Sequence, residues 1–165
     1  MNPMIHLVKP ATWLAGYIPD LPTPFDESDR LDLAAFAKLC ERQIEANVSA
    51  IVVGETAGEA STLTPAEHDT IIRTAVETAR GRVRVIAGAG SNSTNQAIEW
   101  TRRAEAAGAD AVLSVVPYYN NPMQAAFTRT FGRSPARPPS PSSCTTFPPA
   151  RSADYLTIHS RAWRN

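Results

Sequence analysis

Three short, predominantly apolar runs begin near positions 50, 83 and 111; the first two are each followed by a small-residue loop and then by a segment with helical periodicity. A strand that is apolar throughout, rather than at alternate positions, is buried on both faces. Strands of that kind alternating with amphipathic helices form a parallel sheet covered by helices. The spacing of 28 to 33 residues between strand starts therefore restricts the chain more than any single motif does. Strands are expected over 49–53, 82–87 and 111–116. An earlier one is expected over 13–18, where Pro19, Pro22 and Pro24 limit the ladder bonding that follows.

The intervening helices are signalled at their ends as well as by their period. Leu33, Phe36, Cys40 and Ile44 share one face of a helix over 31–46, with Lys38 on the opposite, solvent side. Thr64, Pro65 and Glu67 form an N-cap, a first-turn proline and a capping box. Ile71, Ile72, Ala75, Val76 and Ala79 supply the buried stripe, and Gly81 ends the helix. Ser93 with Gln96 reads as a second capping box, Ile98, Ala104 and Ala107 as the inward face, and Gly108 as the stop. Four βα units are too few for a closed eight-stranded barrel, which takes about 250 residues, and the chain has 165. They amount to the first half of a (β/α)8 barrel or to most of a small doubly wound sheet.

A ligand of such a fold binds at the carboxyl ends of the strands. The loop 54–63, Gly-Glu-Thr-Ala-Gly-Glu-Ala-Ser-Thr-Leu, is the first candidate, although any tight strand-to-helix turn also calls for glycine. The loop 88–92 is the second. Neither matches G-x-G-x-x-G or a lysine-bearing phosphate loop, so a phosphate-binding doubly wound domain has no motif behind it. His68, between Glu67 and Asp69, is expected to be part of a solvated acidic first turn rather than a metal ligand.

The charge is uneven. Residues 1–125 hold ten Lys or Arg against fifteen Asp or Glu, whereas 126–165 hold six Arg against Asp154 alone. That tail, with six Pro, six Ser and five Thr, has no amphipathic period and is expected to be irregular or disordered. Overall neutrality points to neither nucleic acid nor an anionic membrane. Cys40 and Cys144 are too far apart in context to suggest a disulfide or a metal spacing. No apolar run approaches a membrane span or a secretory signal, so a cytoplasmic setting is the default expectation.

The segments GETAGEASTLTPAEH (54–68), RVRVIAGAGSNSTNQAI (82–98) and GADAVLSVVPYYNNPMQA (108–125) closely resemble the dihydrodipicolinate synthase and N-acetylneuraminate lyase family, over roughly residues 14–125. The resemblance implies a (β/α)8 TIM-barrel enzyme, usually homotetrameric, in which a barrel lysine holds pyruvate as a Schiff base. The pyruvate is then condensed with an aldehyde or cleaved from one. No metal or organic cofactor is implied, because the protonated imine is itself the electron sink. By motif position Thr56 and Tyr119 match hydroxyls of a proton relay, Tyr119 acting across a subunit interface. The amides near Ala57 and Gly58 match the pocket for the pyruvate carboxylate. Ala57 departs from the threonine common at its position.

The larger departure is the nucleophile. The Schiff-base lysine, a third relay residue and a substrate-binding arginine come from later strands of the family, whereas this chain has only Lys9 and Lys38. A truncated half barrel is therefore expected to be inactive alone, with strand edges and sheet faces exposed, and to self-associate or dissolve poorly. The tail is compatible with a frame shift: residues 139–151, PSPSSCTTFPPAR, admit a codon choice that reads LTIILHDVPAR two bases on, an apolar strand where the family would have one.

Overall fold

The computed structural model describes residues 12–115, Tyr118 and Tyr119, together with the main chain of 144–146 and 155–160. Helix α1 is Leu33–Glu45, strand β1 Ala50–Val53, α2 Pro65–Ala79, β2 Arg84–Gly88, α3 Thr94–Ala107 and β3 Ala111–Val115. Strand β4 is Cys144–Thr146 and β5 is Tyr155–Ser160. Each expected helix forms, and α2 turns left-handed at Arg80, one residue before the expected stop at Gly81. Asp32 caps α1 by accepting from the Ala35 N–H. Thr64 and Glu67 make the reciprocal box on α2 with Pro65 in its first turn, and Gly108 closes α3 in the left-handed conformation.

β1, β2 and β3 stand side by side in chain order and parallel, with Ile51 opposite Val85 and Ala87 opposite Val112. No reversal of strand order occurs among these three, so they form no doubly wound switch crevice. Apolar side chains alternate between two buried faces. Phe36, Cys40, Ile71, Ile72 and Ala75 from the helices meet Ile51, Val53, Val85 and Ala87 on one face. On the other, Ala50, Val52, Ile86, Ala111 and Leu113 are buried and packed by Trp13, Leu14 and Ile18.

Three expectations are corrected here. Residues 13–18 are not a strand. Thr12–Leu14 is a 3-10 turn, and the chain runs beside β1 only from residue 17 on. There the Pro19 carbonyl accepts from Val52 N–H (2.8 Å) and Leu21 N–H donates to Val52 O (2.9 Å). Proline lacks a donor but keeps its acceptor, so the proline-rich stretch is displaced along β1 rather than excluded from it. Secondly, the sheet face expected to lie open is buried, because Trp13, Leu14 and Ile18 fold across it.

Thirdly, the tail is not wholly irregular. β5 pairs antiparallel with β3, Leu113 opposite Ile158, and β4 pairs with β5. An edge strand presents unpaired N–H and C=O groups. Tyr155–Ser160, free of proline and bearing β-branched and aromatic residues, suits that edge. The sheet then ends at β4, so pairing moves the free edge from β3 to β4 rather than removing it. Apart from the main chain of β4 and β5, the tail lies outside the described residues, and with it the frame-shift reading of 139–151.

Candidate functional site

The loops leaving β1 and β2 are pressed together. Gly54 has φ +61°, and a side chain there would run into the His68 ring. A Cβ on Gly88 would collide with the Gly54 carbonyl oxygen and would come within 2.5 Å of a Glu55 carboxylate oxygen. The two glycines are therefore required by a left-handed backbone and by a close approach of backbones, respectively. His68 is buried rather than solvated, which corrects the sequence reading, and it remains unassigned to any metal cluster. Its ring lies 4.7 Å from that of Trp100 on α3. Burial pushes its pKa down, against backbone hydrogen bonding at Gly54 and the charge of Asp69. Its Nδ1 has no hydrogen-bond partner among the described residues.

Beyond Gly54 the chain folds into a succession of turns, with Glu59 N–H donating to Thr56 O and Ala60 N–H to Glu55 O. Thr56 and Ala57 are exposed and Gly58 is buried. The Gly58 carbonyl accepts from the Thr23 hydroxyl (2.7 Å), and the Ala57 N–H donates to Asp20 Oδ2 (2.7 Å). Residues of the segment beside β1 thus fix the loop from below. Glu55 is 9% exposed. Burial, reinforced by the charge of Asp20, pushes its pKa up to about 7. Burial also raises Asp20, and the Ala57 N–H offsets that only in part.

The β2 loop has a neutral filling. Ala89 N–H donates to Leu113 O, the Ser91 hydroxyl donates to Gln96 Oε1 (2.6 Å), and Ser93 N–H donates to Ser91 Oγ (3.1 Å). Gln96 is therefore engaged with Ser91, and the box expected at Ser93 is made in one direction only, from Gln96 N–H at 3.5 Å.

Thr56, Ala57, Gly58 and Tyr119 all lie at the carboxyl end of the sheet, the first three after β1 and Tyr119 after β3. No hydrogen bond joins Thr56 to Tyr119 among the described residues. β2 stands between their strands, and two strand spacings amount to roughly 10 Å. Tyr119 is 98% exposed, with φ +68°. Lys38 is exposed on α1, and Lys9 lies outside the described residues. Burial pushes the Cys40 thiol up to about 12, so no thiolate nucleophile arises there. The described residues include no group of three or more His, Cys, Asp or Glu placed to hold a metal. None of their helices is long and apolar enough to cross a membrane.

Sequence reasoning missed the buried Glu55 and the half-buried Asp20, whose Oδ1 is shielded. The available signal was their setting: Asp20 falls between Pro19 and Leu21, and Glu55 follows directly on an apolar strand and Gly54. An acid among apolar neighbours costs desolvation and rarely sits there by accident.

The profile of the Dihydrodipicolinate synthetase family matches residues 13–133. The 4-hydroxy-tetrahydrodipicolinate synthase of Hyphomonas neptunium is 57% identical over 109 residues, covering 66% of this chain and 37% of that protein. The crystal structure of the synthase from Aquifex aeolicus superposes with a TM-score of 0.71 at 41% identity, covering 77% of this chain and 43% of that one. The chloride-inhibited enzyme from Acinetobacter baumannii, complexed with pyruvate, gives a TM-score of 0.72 at 38% identity, with 77% and 44% covered. The chain spans about two fifths of the length of the curated relatives it matches.

Proposed function

The chain belongs to the dihydrodipicolinate synthetase family, and from that premise we propose that it holds the pyruvate-binding side of a Schiff-base lyase resembling 4-hydroxy-tetrahydrodipicolinate synthase. The lysine that would form the imine is not among its own usable groups. In such a reaction a lysine amine attacks the keto carbon of pyruvate, water leaves, and the iminium gives up a methyl proton to become the enamine that attacks an aldehyde. Hydroxyls suit the proton transfers because each can donate and accept.

In this reading Thr56 and Tyr119 are relay hydroxyls, and the amides of Ala57 and Gly58 receive the pyruvate carboxylate. Tyr119, almost fully exposed at the end of β3, would act on the site of a neighbouring subunit in a homotetramer. The observation that carries the reading is the placement of Thr56. Its loop leaves the carboxyl end of β1 and is fixed by Asp20 and Thr23 from the adjoining segment, where a barrel of this family would hold substrate.

Of the chain's two lysines, Lys38 lies on the outer helix and Lys9 precedes the first paired segment, so the chain by itself forms no imine. Borohydride reduction in the presence of pyruvate tests this by intact mass. The expected result is an unmodified protein, and an adduct mapped to either lysine would overturn it. The pairing of β5 with β3 favours a companion reading, that the chain is a folded but non-catalytic piece whose tail covers the edge a further barrel strand would take. Residues 139–151 are then the family's strand read in a shifted frame. The coding sequence tests that directly, and codons incompatible with LTIILHDVPAR end it.

A further inference from the structure

The amide assigned to an external carboxylate is already occupied. The Ala57 N–H donates to Asp20 Oδ2 at 2.7 Å, and a single amide hydrogen serves one acceptor well at a time. A second carboxylate brought to the same amide would also meet the like charge of the half-buried Asp20, with the buried Glu55 on the loop itself. Neither acid has a basic partner among the described residues. The His68 ring packs against Gly54, with burial favouring its neutral form.

Asp20 is nevertheless loosely seated. Among the described residues its one side-chain hydrogen bond is the bond to Ala57, and Oδ1 is buried with no partner there. A carboxylate oxygen buried without a partner forfeits hydration, so the side chain surrenders one bond and regains water when it swings out. Burial raises its pKa, and the Ala57 N–H only partly offsets this, which also marks an anion poorly stabilised where it sits.

We propose that Asp20 is an internal ligand that closes the carboxylate seat of the Thr56 loop, and that an external carboxylate binds there only after Asp20 has left. Asp20 is thereby the residue that sets the loop's affinity for carboxylates. The proposal rests on the pyruvate reading for the identity of the natural ligand, while the closure itself rests on the Asp20 contact.

The test follows the Ala57 amide resonance in the 15N-labelled full chain at about pH 8, titrated separately with acetate and with pyruvate at matched ionic strength. In the unmodified protein the resonance is expected downfield and nearly unresponsive. In D20A it loses that downfield position and responds to acetate with an apparent Kd at least about tenfold tighter, equivalent to about 1.4 kcal/mol. D20N, which keeps the shape and loses the charge, is expected to fall between, and it stands alone as the test if D20A does not fold. Equal acetate affinity in the unmodified chain and the folded variants overturns the proposal, as does a freed Ala57 amide that binds neither anion. Acetate binding to D20A without pyruvate binding upholds the closure and instead sinks the pyruvate assignment.

Discussion

The loop after β1 and the loop after β2 leave the same end of one sheet, and both enter helices through a hydroxyl cap, yet they are filled in opposite ways. The β1 loop contains a buried glutamate and takes a second carboxylate, Asp20, onto one of its amides. The β2 loop is closed by neutral groups, Ser91, Ser93 and Gln96, each meeting a donor or acceptor. A neutral hydrogen-bonded loop is what a strand-to-helix turn needs for its own sake. Buried acids without basic partners are costly to a fold and are found where a site uses them. The contrast makes the β1 loop, rather than the β2 loop, the candidate site.

Joining the two loops by one added methyl is expected to have the largest effect. In G88A the new Cβ meets the Gly54 carbonyl oxygen and the Glu55 carboxylate. Backbone cannot yield as a flexible side chain can, so a loss of about 4 kcal/mol or more is expected, seen in urea denaturation as a collapsed midpoint or as failure to fold. A midpoint close to that of the unmodified chain would mean the loops are not in contact.

Next comes the acid itself. The Glu55 pKa is raised by burial to about 7 from 4.5, so the folded state prefers the protonated form. That contribution is fully present below about pH 4.5 and is lost as pH rises to about 7, at most about 3 kcal/mol. E55Q removes this term and should be more stable relative to the unmodified protein at pH 8 than at pH 4. Parallel pH profiles would place Glu55 in solvent. His68, whose lowered pKa makes its stabilisation fade as pH falls below about 6.5, acts in the opposite sense and is common to both proteins.

The smallest contrast is between the caps. T64A loses a reciprocal box with Glu67 and should cost about 1 kcal/mol. S93A loses a one-way bond at 3.5 Å and should cost less than half as much by thermal melting. Equal costs would erase that distinction.

Much of the fold was legible because its signals are local. The Thr64 and Glu67 box, the left-handed Gly108 and the stripe through Ile71, Ile72 and Ala75 each depend on residues within a turn or two of one another, and each forms as read. What was not legible depends on distant partners. Nothing near Trp13 says that it will pack against Val52 and Leu113, so residues 13–18 read as a strand. Tyr155–Ser160 was hidden by the proline-rich composition around it, and its role follows only from the free edge of β3.

His68 read as solvated because its sequence neighbours are acids, whereas its spatial neighbours are Gly54 and Trp100. In the candidate site, the motif led to Thr56 and its loop. Asp20, 37 residues before the amide it occupies, could be placed there only by the fold.

The central claim, that the β1 loop is the one loaded with buried charge, is tested most directly by titrating the side-chain carboxyl carbon of Glu55 by NMR in the full chain. The account predicts a midpoint near 7, accompanied by movement of the Ala57 amide and none of Ser93. A Glu55 midpoint near 4.5, as for a glutamate in water, would contradict it.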